Sequence, residues 1–486
     1  MLFNSFEFLL FLPIVFLLYW FVFNRSLKLQ NAFIVVVSYV FYGWWDWRFL
    51  ILIAFTSACS YFSGLMIEKA QNPPPHESCQ KIYATANVII NLLILGVFKY
   101  FNFFSENFDK LFSAFGVELD WITLDILLPV GISFYTFQAL SYTIDVYRGS
   151  IKPTHSIIDL FAYISFFPQL VAGPIERATN LLPQFYKTRT FDYAKAVDGS
   201  RQILWGLFKK MVIADRCAIE VNSIWETYPD QSGFILLLGA ILFTFQIYGD
   251  FSGYSDIAIG TARLFGINLM QNFTFPYFSR DIAEFWRKWH ISLTTWFRDY
   301  IYIPLGGSRG GKWMKFRNTM IIFLVSGFWH GANWTFVAWG AYHALLFLPL
   351  MLMGSNRKNK NVVAEGRWLP SIKESFQMLV TFGLVVIGWI IFRANSIGEA
   401  WDYTCRIFTP SLFDISGIPA KVVMLLLFII MFLIVEWLQR DKQHAMQLPN
   451  KYMFKYAVVR YALYVGLALS VLLFQGVQGD FIYFQF

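Results

Sequence analysis

Two histidines in apolar segments are the first candidates for acid–base chemistry. His330 stands in "GFWHGANWTF" and His290 stands in "FWRKWHISLTTWF". Imidazole has an unperturbed pKa of about 6.5, so it can take a proton from a hydroxyl group near neutral pH. Ionisable side chains within membrane spans are costly and usually face a cavity or a substrate path. We therefore predict that His330 is a catalytic base; the alternative is a neutral histidine hydrogen-bonded to a neighbouring helix.

His330 lies within an apolar run, residues 319–353, that is expected to enter the bilayer. Basic residues lie on both sides of this run, at Lys312, Lys315, Arg317, Arg357, Lys358 and Lys360. Because Lys and Arg are enriched in cytoplasmic loops, both flanks should lie inside, which requires a helical hairpin bent near "HGANW". The 13 residues from Arg317 to His330 rise about 20 Å, more than half of a hydrocarbon core of about 30 Å. The ring of His330 is therefore expected deep in the protein.

His290 lies in a second segment, whose pattern is amphipathic. One arc of a helical wheel holds six large apolar residues: Phe285, Trp286, Trp289, Leu293, Trp296 and Phe297. This pattern predicts a single helix at the membrane interface, with His290 at the edge of its apolar face. A role in a site and a role as a boundary residue are equally open for His290. His343, on the return helix of the hairpin, is interpreted as a packing residue.

The composition is that of a polytopic membrane protein. Of 486 residues, 57% are hydrophobic, 20% aromatic and only 14% charged, and apolar runs of about 20 residues recur along the chain. We predict an all-α integral membrane protein of about 10–12 transmembrane helices, with re-entrant and amphipathic interfacial helices around a central tunnel. The chain should form one domain, residues 1–486.

Charge and cysteine usage exclude several classes of protein. The formal charge of +8 comes from Lys and Arg in short loops beside apolar spans, so it reports topology and not a nucleic-acid partner. An anionic ligand on the cytoplasmic side remains open. The four cysteines are scattered without metal-ligand or CxxC spacing, so neither a disulfide framework nor a metal site is expected.

Two segments before the hairpin have irregular or polar patterns. "LFAYISFFPQLVAGPIER" is apolar but holds Pro168, Gly173 and Pro174, with basic residues on both sides. A segment flanked by inner-side charge at both ends enters and leaves by the same face, so we predict a re-entrant segment from residue 157. "RQILWGLFKKMVIADR", residues 201–216, is predicted to be an amphipathic helix at the cytoplasmic surface.

The segment "YGDFSGYSD" holds two acidic residues next to a span. Asp250 and Asp256 could line a site. Gly253 and its flanking serines favour a helix break and a cap as the more common roles for such a sequence.

Several segments taken together resemble the membrane-bound O-acyltransferase (MBOAT) family. They are "FFPQLVAGPIER", "YGDFSGYSDIAIG", "NFTFPYFSRDIAEFWRKWHISLTTWFRDYIYIPLGG" and "GFWHGANWTFVAWG". The chain is most similar to the bacterial branch that contains alginate and peptidoglycan O-acetyltransferases and the D-alanyl transfer proteins of teichoic acid. The resemblance covers nearly the whole chain, and it implies an α-helical body hollowed from both faces around a thin central wall.

The resemblance also implies which residues form the site. His330 matches the invariant histidine of the family, and His290 matches its second motif histidine. The catalytic core would be residues 157–349. The residues expected to line the tunnel or bind substrate are Asn333, Trp329, Trp289, Asp250, Pro168 and Gln169.

The last residues of the sequence add a third element. "FIYFQF" resembles the aromatic carboxyl-terminal motif of this branch, whose tyrosine corresponds to Tyr483, a candidate acyl relay. The alternation of basic loops puts residues 475–486 on the outer face. The alternative is an aromatic anchor at the membrane interface.

The resemblance implies transfer of an acetyl or similar acyl group to a hydroxyl. The donor would be acetyl-CoA or an acyl carrier protein thioester on the cytoplasmic side, with no resident cofactor. The expected setting is the bacterial cytoplasmic (inner) membrane, with membrane lipid around the protein, an SGNH-type acyltransferase as the outer-side partner, and an extracytoplasmic polysaccharide or cell-wall polymer as the acceptor. A transporter or flippase with His330 as a gate, and a non-catalytic scaffold, remain the alternatives.

Overall fold

The computed structural model describes residues 1–72, 75–117, 127–415, 418, 420–448, 452–474, 479 and 481–482. All regular structure in these residues is helical. Seven helical runs in this part of the chain are long and apolar enough to cross a membrane: Phe6–Arg25, Phe49–Gln71, Glu77–Ser113, Gly233–Leu264, Trp334–Leu352, Ile372–Arg393 and Ala420–Leu438. Leu27–Gly43 and Ala457–Leu473 are shorter apolar helices. The predicted all-α polytopic membrane fold is confirmed, whereas the number of 10–12 spans stays a prediction.

The chain divides into two compact units. The first contains Met1–Ala196 and Thr261–Met270, and the second contains Val197–Gly260 and Gln271–Phe486. Both candidate histidines lie in the second unit. The predicted catalytic core, residues 157–349, takes residues from both units, and its boundaries and the single domain stay predictions.

The first unit is built mostly from membrane-length helices followed by short ones. Its helices are Phe6–Leu17, Leu27–Gly43, Phe49–Gln71, Glu77–Leu95, Phe101–Ser113, Ile132–Tyr147, Ile157–Ser165, Phe167–Leu170 and Ala178–Phe185. The irregular segment from residue 157 is broken at Phe166 and again after Leu170, where Gly173 and Pro174 follow. The backbone is therefore interrupted as predicted, and its re-entrant path stays a prediction.

The second unit contains the longest helix and the carboxyl-terminal spans. Its helices include two that are shared with the first unit: Tyr193–Leu207, which begins there, and Gly233–Leu264, which ends there. The others are Asp215–Glu226, Ile282–Lys288, Ile291–Phe297, Lys312–His330, Trp334–Leu352, Ile372–Arg393, Ile397–Ile407, Ala420–Leu438 and Ala457–Leu473. The helices Ile372–Arg393, Ala420–Leu438 and Ala457–Leu473 coincide with three long apolar runs of the sequence.

The helix Gly233–Leu264 runs without interruption through "YGDFSGYSD". The predicted helix break at Gly253 is therefore wrong. A Cβ atom on Gly253 would lie 2.8 Å from the carbonyl oxygen of Gly206, and one on Gly249 would lie 3.0 Å from that of Lys209. These glycines serve close helix packing, as small residues commonly do between membrane helices. The neighbouring Ser252 bonds within the helix, where its hydroxyl donates to the Tyr248 carbonyl at 2.6 Å.

The basic segment of residues 201–216 does not form a surface helix. It continues Tyr193–Leu207 as a π-helical turn, Phe208–Ala214, all of whose side chains are buried. Lys209 and Lys210 are only 3% and 5% exposed. Both ammonium groups are paired with carboxylates of the helix Gly233–Leu264, Lys209 with Asp256 at 2.5 Å and Lys210 with Asp250 at 2.8 Å. The prediction of an interfacial amphipathic helix is wrong because these lysines neutralise buried acids.

The predicted hairpin around His330 is confirmed. Helices Lys312–His330 and Trp334–Leu352 are joined by three residues, 331–333. The Asn333 side chain caps the second helix by accepting a hydrogen bond from the Thr335 amide at 3.0 Å. A Cβ atom on Gly340 would collide with the Phe323 carbonyl oxygen and lie 3.4 Å from the Gly327 Cα atom. The two helices approach this closely only because Gly340 and Gly327 lack side chains.

Changing Gly340 to alanine is therefore expected to destabilise the protein by about 1–3 kcal/mol, since the added methyl group meets backbone that cannot rotate away. Gly383→Ala is the matched control, because a Cβ atom there meets no atom of the described residues within 4 Å. That control should gain about 0.5–1 kcal/mol from better helix propensity. Unfolding midpoints in detergent measure both. Equal midpoints for the two variants would contradict the close-packing interpretation.

Candidate active site

His290 lies at a sharp turn in the protein core. The predicted single amphipathic helix is wrong, because the chain forms two short helices, Ile282–Lys288 and Ile291–Phe297. Between them His290 adopts φ 43° and ψ 54°, the left-handed region that is costly for a non-glycine residue. The turn is held by backbone hydrogen bonds, Ile291 N–H to Asn272 C=O at 2.9 Å and Thr274 N–H to Lys288 C=O at 3.1 Å. The turn leaves His290 only 1% exposed, in the core and not at an interface.

Asn272 determines which nitrogen of His290 carries the proton. The Asn272 amide nitrogen donates to the Ser255 hydroxyl at 3.0 Å, so its oxygen faces the other way. That oxygen accepts from the Ser292 hydroxyl at 2.9 Å and lies 3.0 Å from His290 Nδ1. Because an amide oxygen can only accept, Nδ1 must donate. The Nε2 atom of His290 is buried without a hydrogen-bond partner among the described residues, and its lone pair is available.

His290 is suited to accept a hydrogen bond more than to take a proton. Burial lowers the pKa of His290 to about 3, so the ring is neutral near pH 7. The ring of Phe251 packs edge-on against it at a centroid distance of 4.6 Å. A neutral Nε2 lone pair in this apolar surrounding can orient a hydroxyl or amide hydrogen of a substrate.

His330 has a different environment. It is the last residue of the helix Lys312–His330 and is 4% exposed. Its ring packs edge-on against Trp339 at 5.1 Å and Phe392 at 5.4 Å, centroid to centroid. The carboxyl end of a helix carries partial negative charge, which stabilises a developing positive charge on a side chain at that end. His330 therefore has better electrostatic support than His290 for accepting a proton.

Trp329 lies beside both histidines. Its ring centroid is 6.1 Å from that of His290 and 4.9 Å from that of His330. The two histidines, 40 positions apart in sequence, therefore border the same indole. The structure brings together the two residues that sequence reasoning selected for acid–base chemistry.

The other predicted residues occupy varied positions. Trp289 is 1% exposed and packs against Trp389 at a centroid distance of 4.9 Å. The Asn333 amide nitrogen donates to the Asn395 carbonyl at 3.1 Å. Pro168 and Gln169 belong to the first unit, where the Gln169 amide nitrogen donates to the Tyr163 carbonyl at 2.7 Å. Their roles in lining a tunnel, and the tunnel itself, stay predictions.

Three further residues have outcomes of their own. Asp250 is 3% exposed and is paired with Lys210. Tyr483 lies outside the described residues, so its role stays a prediction. His343 is fully buried and its ring lies 5.0 Å from those of Trp286 and Trp339, an environment that fits packing.

Asn272 is the site residue that sequence reasoning missed. It lies 18 positions before His290, and no pattern of charge or periodicity marks an asparagine as the partner of a distant ring. Only the turn at His290 brings the two side chains together.

A basic cleft opens beside the helix that leads to His290. A cavity of about 400 Å³ is lined by Arg287, Lys288, Lys360, Arg440 and Lys442, together with Glu284 and Asp441. A neighbouring cavity of about 650 Å³ shares Val362, Arg440 and Asp441 with it. Lys288 forms part of the wall and is only two positions from His290. The five basic side chains of the cleft would attract anionic groups.

Known proteins match this chain over most of its length. Residues 148–388, which include both histidines, match the model of the MBOAT, membrane-bound O-acyltransferase family. The chain is 40% identical over 403 residues to the probable alginate O-acetylase of Pseudomonas aeruginosa, covering 82% of this chain and 74% of that protein. It is 32% identical over 419 residues to the peptidoglycan O-acetyltransferase of Helicobacter pylori, covering 80% and 76%. The teichoic acid D-alanyltransferase of Bacillus subtilis is 29% identical over 282 residues, covering 55% and 69%.

Proposed function

Because this chain belongs to the membrane-bound O-acyltransferase family and is a multi-pass membrane O-acyltransferase, we propose that it transfers an acetyl group from a cytoplasmic thioester to a hydroxyl outside the cell. The observation that carries the proposal is the pair of buried histidines bordering one indole, His330 and His290. The membrane is the bacterial cytoplasmic membrane.

The donor is acetyl-CoA or an acyl carrier protein thioester, bound on the cytoplasmic side. The basic cleft beside Lys288 supports this assignment, since both donors carry phosphate groups that Lys and Arg recognise. The cleft also contains Lys360, Arg440 and Lys442 in loops, and Lys and Arg are enriched in cytoplasmic loops.

The acceptor is a hydroxyl of an extracytoplasmic polysaccharide or cell-wall polymer, reached through an SGNH-type acyltransferase at the outer face. The names of the relatives support this assignment, since they describe acyl transfer to alginate, peptidoglycan and teichoic acid. Tyr483 is the proposed relay that receives the acyl group before the polymer does.

His330 acts as the base in the proposed reaction. It removes the proton of the acceptor hydroxyl while the oxygen attacks the thioester carbonyl carbon. The carbon–sulfur bond then breaks, and the proton returns from the imidazolium to the thiolate. The products are an ester and a free thiol, so neither an oxidant nor a metal is consumed.

His290 orients a substrate through its Nε2 lone pair. Because Nδ1–H is bonded to Asn272, the ring has no second N–H with which to polarise a thioester carbonyl, and an accepting role fits better. The backbone N–H groups near Gly331 and Asn333 are the proposed donors to the developing oxyanion.

Purified protein in proteoliposomes tests the proposal. Radiolabelled acetyl-CoA is supplied on one side of the membrane, and a purified SGNH-type partner with its polysaccharide is placed on the other. Label is expected in the polysaccharide as an alkali-labile ester, and only when all components are present. Uptake of labelled solute without ester formation would support the transporter alternative and overturn the proposal.

The change Asn272→Leu tests the role of His290. It removes the acceptor that fixes the ring tautomer at similar volume, and it should lower kcat about 10–100-fold with a smaller effect on KM. Asn272→Asp is the matched variant, because a carboxylate also accepts from Nδ1–H and should keep most of the activity. Normal kcat in the leucine variant, at an equal amount of folded protein, would contradict the role given to His290.

A further inference from the structure

Two buried charged residues hold the backbone of Gly479 and Ile482 inside the second unit. The Lys210 ammonium group donates to the Gly479 carbonyl oxygen at 3.1 Å. The Ile482 amide donates to Asp250 Oδ2 at 2.7 Å. Phe481 and Ile482 are each only 1% exposed, so this part of the segment is packed in the core and is not a surface anchor.

Asp250 uses both of its oxygens for this purpose. Its Oδ1 atom lies 2.8 Å from the Lys210 ammonium nitrogen, while Oδ2 receives the Ile482 amide. Lys210 is also paired with Asp215 at 2.9 Å, so it retains a counter-ion if Asp250 changes. An asparagine at position 250 has one acceptor atom, so it cannot make both contacts. The link between the ion pair and the segment therefore depends on a carboxylate.

The described part of the segment lies close to His290. The ring of Phe481 lies 5.0 Å from that of Tyr254 and 6.0 Å from that of Phe251, centroid to centroid. The ring of Phe251 in turn contacts His290 edge-on at 4.6 Å. One aromatic side chain thus separates the segment from the candidate active site.

We propose that Lys210 and Asp250 are positioning residues that clamp Gly479 and Ile482 against the core, so that the described residues 479, 481 and 482 form a wall of the active centre beside His290. The effect on catalysis rests on the proposed function, whereas the docking of the segment does not depend on any reaction. The proposed clamp assigns a role to the Lys210–Asp250 ion pair. Stability alone is a weak reason for its burial, because buried ion pairs often contribute little net stability.

Thiol labelling tests the clamp. The full chain carries Ile482→Cys with Cys59, Cys79 and Cys405 changed to serine, and Cys217 is retained because it is fully buried. In this background, Asp250→Asn should raise the rate at which N-ethylmaleimide labels position 482 by about tenfold, through local opening of the segment. Cys217 should stay protected, since the remainder of the unit keeps its packing.

Asp256→Asn is the matched control. Asp256 lies on the same helix and also divides its oxygens, one paired with Lys209 and the other accepting from Gln202 at 2.7 Å. This control should leave the labelling of position 482 unchanged, because neither of those contacts reaches the segment. Equal labelling of position 482 in both aspartate variants, or no increase in either, would overturn the proposal.

A second variant is needed if Asp250→Asn disturbs the packing of the whole unit. If Cys217 also becomes reactive in that variant, Phe481→Ala is examined instead, since it removes the ring contacts and leaves every ion pair intact. Because the clamp is intact in this variant, position 482 should stay protected. Its release with Cys217 protected would show that the ring contacts of Phe481, and not the clamp, hold the segment, and would overturn the proposal.

The catalytic consequence is measured separately as kcat and KM of acyl transfer. Asp250→Asn should lower kcat by about tenfold with little change in KM for the donor, as expected when a wall of the site is displaced. An unchanged kcat with a released segment would overturn the role in the active centre. Failure of the unmodified protein to transfer acyl groups would instead reject the proposed function and leave the docking result standing.

Discussion

Replacing His330 by alanine is expected to lower the rate of acyl transfer by about 10²–10⁴-fold, the usual contribution of a general base. A hydroxyl group is a poor nucleophile until its proton is removed, and His330 stands at the carboxyl end of a helix that stabilises the protonated ring. The rate of ester formation in proteoliposomes measures the loss, with membrane level and unfolding midpoint recorded for the same preparations.

His343→Ala is the matched control for that experiment. His343 is a second buried histidine of the same hairpin, and its ring contacts Trp286, Trp339 and Tyr342. Its removal should lower the unfolding midpoint but keep acyl transfer within a few-fold in folded protein. Near-normal transfer in the His330 variant, or equal inactivity of both folded variants, would show that His330 is not the base.

Lys209→Met is expected to lower the free energy of unfolding by about 3 kcal/mol, because it leaves the Asp256 carboxylate, whose side chain is only 14% exposed, without its cation. The Lys209 ammonium nitrogen lies 2.5 Å from Asp256 and donates to the Ser252 hydroxyl at 2.9 Å. Combining Lys209→Met with Asp256→Leu should recover most of the loss, since both members of the pair are then apolar. Unfolding midpoints in detergent test this.

An exposed ion pair provides the control for the lysine change. Lys421 is paired with Glu220 at 3.0 Å, but its side chain is 64% exposed. Lys421→Met should therefore cost less than about 1 kcal/mol. A loss as small as this for Lys209→Met would mean that water, and not Asp256, satisfies the Lys209 ammonium group.

Sequence patterns predicted the membrane spans and the hairpin well, because each depends on physics that is local to its segment. Long apolar runs and the basic residues around them located the helices Ile372–Arg393 and Ala420–Leu438 to within a few residues. The charge on both sides of residues 319–353 was sufficient to predict a bend before Asn333.

The wrong predictions concern features that are set by distant partners. A helical wheel cannot reveal that His290 occupies a left-handed turn, because that turn is held by backbone bonds to residues 272–274. The lysines at 209 and 210 have the pattern of a surface helix, and only Asp250 and Asp256 on another helix make their burial possible. Gly253 breaks no helix because its small size serves contact with Gly206.

The sequence predicted which histidines belong to the candidate site, but it did not predict the hydrogen bonds that they make. Ionisable side chains are rare in membrane segments, so the sequence alone identifies His290 and His330 as candidates. Asn272, which assigns the proton of His290, is an ordinary polar residue in a loop, and its function appears only when the two side chains are seen 3.0 Å apart.

The aromatic surroundings of His330 bear on side reactions. With Trp339 and Phe392 edge-on against its ring and only 4% of the residue exposed, there is little space for free solvent next to the imidazole. An activated acyl group at this position has few water molecules to react with, so wasteful hydrolysis should be slow compared with productive transfer. The aromatic residues around His330 therefore protect the thioester from hydrolysis.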